Sequence, residues 1–226
     1  MRRMVFVCGL VLGLLVAGNV FADTIDISIN TPNAALTGFT GPYANVNINL
    51  NAAGTEATIT FTSLTNGGYL YLMGGESVAD LNVNGIYSLG TLVTESNSIG
   101  GFTPTFPRVN INPENVDGFG TFNLGLDNFG GFLDSATSIS LTLANPFSRW
   151  ASAADVLTAN TNGAEAAIHA FACVQPGCST TSGAAATGFA ANGGVLVAPV
   201  PEPGTLLLLE FGLFGLAGLV RRRVKM

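Results

Sequence analysis

The chain has 226 residues, 48% of them hydrophobic, and a formal net charge of −6, which is enough to bury one sizeable core. The charge is uneven: from Asp23 to Val200, twelve acidic residues stand against Arg108 and Arg149 alone. A body this acidic repels phosphate backbones, so nucleic acid is excluded as a partner.

Residues 1–22 run from Arg2-Arg3 through an apolar stretch to the small-residue site Val20-Phe21-Ala22. That order predicts a secretory signal peptide cut between Ala22 and Asp23. The apolar part, Met4 to Val16, is short for a membrane anchor. Signal peptidase and the general export machinery are the partners it implies, and Cys8 leaves with the peptide.

From Asp23 the pattern has period two. Thr24 to Asn30 puts three isoleucines on one face, and Asn45 to Asn51 alternates asparagine with Val, Ile and Leu. Ala57–Thr62, Tyr69–Met73, Leu81–Asn84, Arg108–Asn112, Thr121–Leu126 and Ser138–Leu143 follow the same rule. Short half-buried strands between Gly, Pro, Asn and Ser clusters predict an all-β domain over residues 23–197. Its expected form is an antiparallel β-sandwich, jelly-roll-like or Ig-like. One short helix is predicted over 146–160, where Trp150, Ala153, Ala154 and Leu157 recur at helical spacing. Ala166 to Val174 resumes a strand, and Gly183 to Gly194 reads as a last edge strand or a linker. The asparagine-bearing faces suit polysaccharide hydroxyls or the stacking of neighbouring protein, but the favoured reading is a plain solvent face.

Cys173 and Cys178 form an even pair around Pro176-Gly177, and in an oxidising compartment they predict a disulfide. Closing so small a loop contributes about 2 kcal/mol in the chain-entropy model.

Few residues offer chemistry. His169 is the single histidine and lies in the apolar run AAIHAFAC, with no Gly-x-Ser-x-Gly elbow anywhere. His169, Cys173 and Cys178 are three zinc-type ligands, but an oxidised pair cannot ligate. The turn from Asn112 to Gly118 is rich in oxygen and a candidate for structural calcium, although it lacks EF-hand spacing. Twelve acids leave room for a carboxylate pair of the glycosidase kind, while Trp150, the single tryptophan, lies in a helix-like stretch where core packing is the better reading. No cofactor is expected, and the body reads as non-enzymatic.

Residues 198–226 have a separate design. Val200-Pro201-Glu202-Pro203 precedes an apolar run from Leu206 to Val220, then Arg221-Arg222-Arg223. The prolines prevent helix before the run. The run itself, expected as a transmembrane helix over 205–220, is about 15 residues against a hydrocarbon core near 30 Å. The arginines keep its end in the cytoplasm. Glu210 inside the run departs from an all-apolar pattern.

This three-part tail resembles the PEP-CTERM sorting signal of Gram-negative bacteria, and the stretches PENVDGFGTFNLGLDNF, WASAADVLTANTNG and AIHAFACVQPGC look like the Gly/Asn-rich bodies of small PEP-CTERM proteins. The resemblance implies an exosortase that cuts near Pro201-Glu202-Pro203, with Arg221 to Arg223 as the membrane stop. It implies transient anchoring in the inner membrane, then release to the cell surface or extracellular matrix, in company with exopolysaccharide. The expected role is a non-enzymatic surface or matrix component. A secreted carbohydrate-binding sandwich presenting Tyr43, Tyr69 or Trp150 is the alternative, and an envelope hydrolase using His169 or two carboxylates is a third.

Overall fold

Alternating side chains build strands whose inner faces meet in one core. The computed structural model describes residues 22–90, 94–105, 108–128 and 130–194. Its first strands are β1 (Asp23–Ile29), β2 (Thr31–Pro32), β3 (Ala44–Leu50), β4 (Glu56–Ser63), β5 (Thr65–Asn66), β6 (Tyr69–Met73) and β7 (Gly75–Leu81). There follow β8 (Ser88–Leu89), β9 (Thr94–Ser96), β10 (Arg108–Asn110), β11 (Glu114–Val116), β12 (Gly120–Phe122) and β13 (Leu124–Asn128). The last are β14 (Ser138–Ala144), β15 (Ala166–Val174) and β16 (Ala186–Ala191).

One sheet has the order β1-β3-β4-β14, with β8 and β9 both on the far side of β14. The other runs β10-β13-β7-β15-β16-β2, with β6 also on β15 and β5 on β6. β11 and β12 form a separate hairpin. Every strand pairing is antiparallel, as the sequence predicts for an all-β chain. The chain changes sheet within two residues, where Asn30 leaves β1 and its N–H donates to the Ala191 carbonyl beside β2.

β3 shows why the register holds. Ala44, Val46, Ile48 and Leu50 are buried while Asn45, Asn47 and Asn49 face outward, so a one-residue slip would drive three asparagines into the core. Ile59, Phe61 and Leu141 from this sheet join Met73, Ala79, Leu126 and Ile168 from the other in a single buried cluster. Each large apolar side chain so buried contributes about 1.5–3 kcal/mol. Tyr43 and Tyr71 meet edge to face in it at 4.7 Å, their hydroxyls donating to the Phe39 and Thr40 carbonyls.

Two expectations need correction, and an open one resolves to a strand. The described residues contain no α-helix, and 146–160 holds only a 3-10 turn at Ala153–Asp155. Tertiary hydrogen bonds take the groups a helix would use: Trp150 N–H donates to Gly54, Trp150 Nε1 to Asn84, and Asn84 N–H to Val156. The strand predicted at Leu81–Asn84 lies earlier, as β7, and Val83 keeps only an isolated bridge to Leu157. Val78, Ala79, Asp80 and Leu81 are buried in succession because both faces of β7 are covered, which erases the alternation. Gly183–Gly194 contains a true strand, β16, paired between β15 and β2.

No helix among the described residues is long and apolar enough to cross a membrane. Segments 1–21 and 195–226, with the apolar run 205–220, lie outside the described residues.

Candidate functional site

The outer face of the eight-stranded sheet carries the molecule's unusual chemistry. β7 and β13 are in register at Asp80–Gly125 and Ala79–Leu126, then slip before Asn128–Gly75. The extra residues bulge around Ser77, whose φ of 52° is left-handed, and Asp127 Oδ1 accepts the Ser77 N–H at 2.9 Å. Bulge and bond together turn Asp127 and Asp80 to one side, under the β11–β12 hairpin that brings Glu114.

Asp80 is wholly buried, and neither of its oxygens has a hydrogen-bond donor. Gly125 makes the space it occupies. At the point where a Cβ on Gly125 would stand, Asp80 Oδ1 lies 2.8 Å away and Glu114 Oε2 closer still. Two carboxylates therefore share one small volume. Burial first, then the charges of Glu114 and Asp127, hold the Asp80 pKa well above the usual carboxylate range. Burial and Asp127 also raise Glu114, opposed by hydrogen bonds from Ser77 and Asn110. Arg108 is opposite Asp127 in the β10–β13 register, but is exposed.

His169 is on the same sheet face, stacked on Phe189 at 4.5 Å and beside Phe171. Its Nε2 is 2.7 Å from Thr187 Oγ1, its Nδ1 has no partner, and burial lowers its pKa. Among the described residues no carboxylate orients the ring, and no Ser-His-Asp arrangement is assembled. Gly75 is required beside it, since a Cβ there would come 2.6 Å from Nδ1.

The cysteines are joined. Cys173 and Cys178 form a disulfide with Cα atoms 5.4 Å apart, which removes both thiolates as zinc ligands. Cys173 is buried with Leu70, Leu72 and Phe102 in a cluster on the sheet's outer side.

The other sheet presents a polar outer face. Asp26, Asn47, Thr60, Ser140 and Thr94 stand in one row across five strands, with Ser28, Asn45, Thr62, Ser138 and Ser96 in the next. The side chains bond to one another: Asn45 and Asn47 both donate to Asp26 Oδ1, and Thr60 meets Ser140 at 3.0 Å. The amides of Asn47 and Asn45 lower the Asp26 pKa. The asparagine pattern thus becomes an ordered hydroxyl and amide surface.

Of the three candidate aromatic platforms two are buried and the third, Tyr69, is half-buried. Tyr43 and Trp150 are buried at 1% and 4% exposure, and Tyr69 packs edge-on against Phe39. A shallow cleft lined by Gly85 to Leu89 and Ile111 is mainly apolar and has no carboxylate, imidazole or thiol. The oxygen-rich turn predicted for calcium is divided: Asp117 accepts from Asn33, while Glu114 reaches toward Asp80.

Of the residues at the predicted processing sites, Ala22 is exposed and Asp23 opens β1, its carboxylate accepting the Ala153 N–H at 2.6 Å. Val200, Pro201, Glu202, Pro203, Arg221, Arg222 and Arg223 lie outside the described residues. Asp80, Gly125 and Asp127 escaped the sequence reading. The available signal was a lone carboxylate inside the apolar run Val78-Ala79-Asp80-Leu81.

These features define an antiparallel all-β protein with one ordered polar face and a buried carboxylate, Asp80, beside the half-buried Glu114. Comparison with protein-family models, with curated proteins and with solved structures returned no match.

Proposed function

We propose that this chain is an exported cell-surface or extracellular-matrix protein, sorted and cut by an exosortase, whose β-sandwich body is non-enzymatic and works alongside exopolysaccharide. The observation that carries the reading is the order of the tail: Pro201-Glu202-Pro203, then the apolar run to Val220, then Arg221-Arg222-Arg223. An N-terminal export signal at the opposite end supports it, because the two segments together leave only the β body as product. The Cys173–Cys178 disulfide suits an oxidising compartment outside the cytoplasm. Asp80 has no exposed surface for a substrate to reach, which favours a structural role for that carboxylate over a catalytic one.

The intact mass of the mature product, measured in a host with a matching exosortase and in its exosortase deletion, tests the proposal. Loss at both ends, with the tail cut only when the exosortase is present, is the expected result. An uncut tail in both strains overturns it and leaves a membrane-anchored envelope protein.

A carbohydrate-binding body is the second reading. Its support is the row of Asp26, Asn47, Thr60, Ser140 and Thr94, a neutral hydrogen-bonding surface apart from its one carboxylate. The side chains of that row would hold a glycan by hydroxyl and amide contacts.

A further inference from the structure

We infer that Asp80 is held as a neutral carboxylic acid whose O–H donates to the Glu114 carboxylate. This hydrogen bond clamps the β11–β12 hairpin to the eight-stranded sheet, and loss of the proton releases the hairpin. The inference goes beyond the sorting proposal and does not depend on it. It starts from the walls around Asp80. Its neighbours in register are Gly125 on β13 and Ala167 on β15, and neither side chain can donate a hydrogen bond. Ala167 packs with Val116 and Phe122, so the hairpin closes over this part of the sheet. Asp80 is fully buried, and among the described residues neither of its oxygens has a donor. An ionised carboxylate so placed is strongly penalised, whereas a carboxyl group brings a donor of its own.

Glu114 is the acceptor the geometry offers. A Cβ on Gly125 would stand 2.8 Å from Asp80 Oδ1 and closer still to Glu114 Oε2, so the two oxygens converge over a residue that has no side chain. Two ionised carboxylates that close repel, and one proton between them turns the repulsion into a hydrogen bond. The surroundings decide which group keeps it. Glu114 is half-buried and accepts from Asn110 Nδ2 at 3.3 Å and from the Ser77 side chain, donors that favour its charged form. Asp80 has no such support, so the proton stays on Asp80 and Glu114 accepts the hydrogen bond. Burial first, then the charges of Glu114 and Asp127, raise Asp80 well above the ordinary aspartate value of 3.8.

Acidic groups prevail around the pair. Burial, Asp127 and the exposed Glu76 of β7 raise Glu114 against its two donors. On β13, Asp127 already accepts the Ser77 N–H. β15 brings His169, held by Thr187, and Glu165 just before the strand is bonded to Asn192. In the hairpin turn, Asp117 accepts from Asn33. Arg108 on β10 is the neighbouring cation and is exposed at the sheet edge. The unfolded chain gives up the Asp80 proton near 3.8, and the folded protein keeps it to higher pH. Stability therefore falls as pH rises above that value, and levels off once the folded protein has lost the proton too. Ionised Asp80 then repels Glu114, and the two-stranded hairpin, marginal by itself, is the part that yields.

The test uses the purified exported protein and two readings. Infrared difference spectra of wild type against Asp80→Asn, at about pH 6, should show a carboxylic-acid carbonyl band in the wild type alone. Amide hydrogen exchange then follows hairpin residues 114–122, referenced to β3, from about pH 5 to about pH 9. Wild-type protection in the hairpin should fall about tenfold or more as the band disappears. Asp80→Asn, whose amide can still donate to Glu114, should keep its protection throughout. Should that variant fail to fold, Glu114→Gln takes its place: with the acceptor's charge gone and a donor added, Asp80 should lose its band at lower pH than in the wild type. Absence of the band overturns the inference, as does a band lost with no change in hairpin protection. Equal loss of protection in Asp80→Asn, or an unmoved band in Glu114→Gln, overturns it as well. A band and a protection both unchanged at the upper pH overturn the release.

Discussion

Glu95 shows how one side chain on an edge strand affects the whole. It is opposite Ile139 in the β9–β14 register and so turns toward the buried side. Neither carboxylate oxygen has a partner, and burial, then the charge of Asp134, raise its pKa from 4.5 to about 7. An inward-pointing charge on an edge strand discourages pairing with another chain, at a cost in stability. The unfolded chain releases this proton near pH 4.5, while the folded protein keeps it until about pH 7. Between those values the folded state holds more protons, so its stability falls as pH rises through that window. Glu95→Gln should therefore raise Tm at pH 8 relative to wild type and flatten the decline between 4.5 and 7, read by circular dichroism melts at stepped pH. A variant whose profile keeps the wild-type slope would remove Glu95 as the cause.

At the scale of elements, β15 is the spine of its sheet, pairing β7 along Ala166–Ile168, β6 along Ala170–Val174, and β16 on its other edge. Its outward residue Cys173 anchors the loop that carries Cys178. Replacing both cysteines by alanine should cost roughly 2 kcal/mol in urea denaturation, with the midpoint shifted and the slope retained. That result would mark the bridge as a local staple. Complete loss of the folded state would instead make it a condition of folding. The same scale explains the missing helix: Trp150 is pinned from two sides by Gly54 and Asn84, and the 3-10 turn is what those bonds allow.

At the scale of the molecule, stability rests on the cluster shared by both sheets. Ile59 is wholly enclosed there, and Ile59→Ala should cost about 2–5 kcal/mol by chemical denaturation. A loss below 1 kcal/mol would mean that the two sheets do not depend on a common core. The division of labour between faces follows from this core. One sheet has its inner side buried and its outer side ordered in polar rows. The other is covered on its outer side too, by the hairpin residues Val116 and Phe122 and by Phe102 and Phe132. Only a sheet covered twice can bury Asp80.

The sequence by itself determined the β class, the strands with one wet face and the disulfide. It did so because period two and the spacing of two cysteines are local properties of the chain. β3, β4 and β14 were legible since each buries every second residue. β7 was not, because apolar cover on both faces removes the alternation and a bulge at Ser77 shifts the phase. The carboxylate pair was equally hidden: Asp80, Glu114 and Gly125 are far apart in sequence and meet only when β7, β13 and the hairpin are brought together. Tertiary structure decided this, since burial and charge proximity depend on which strands become neighbours.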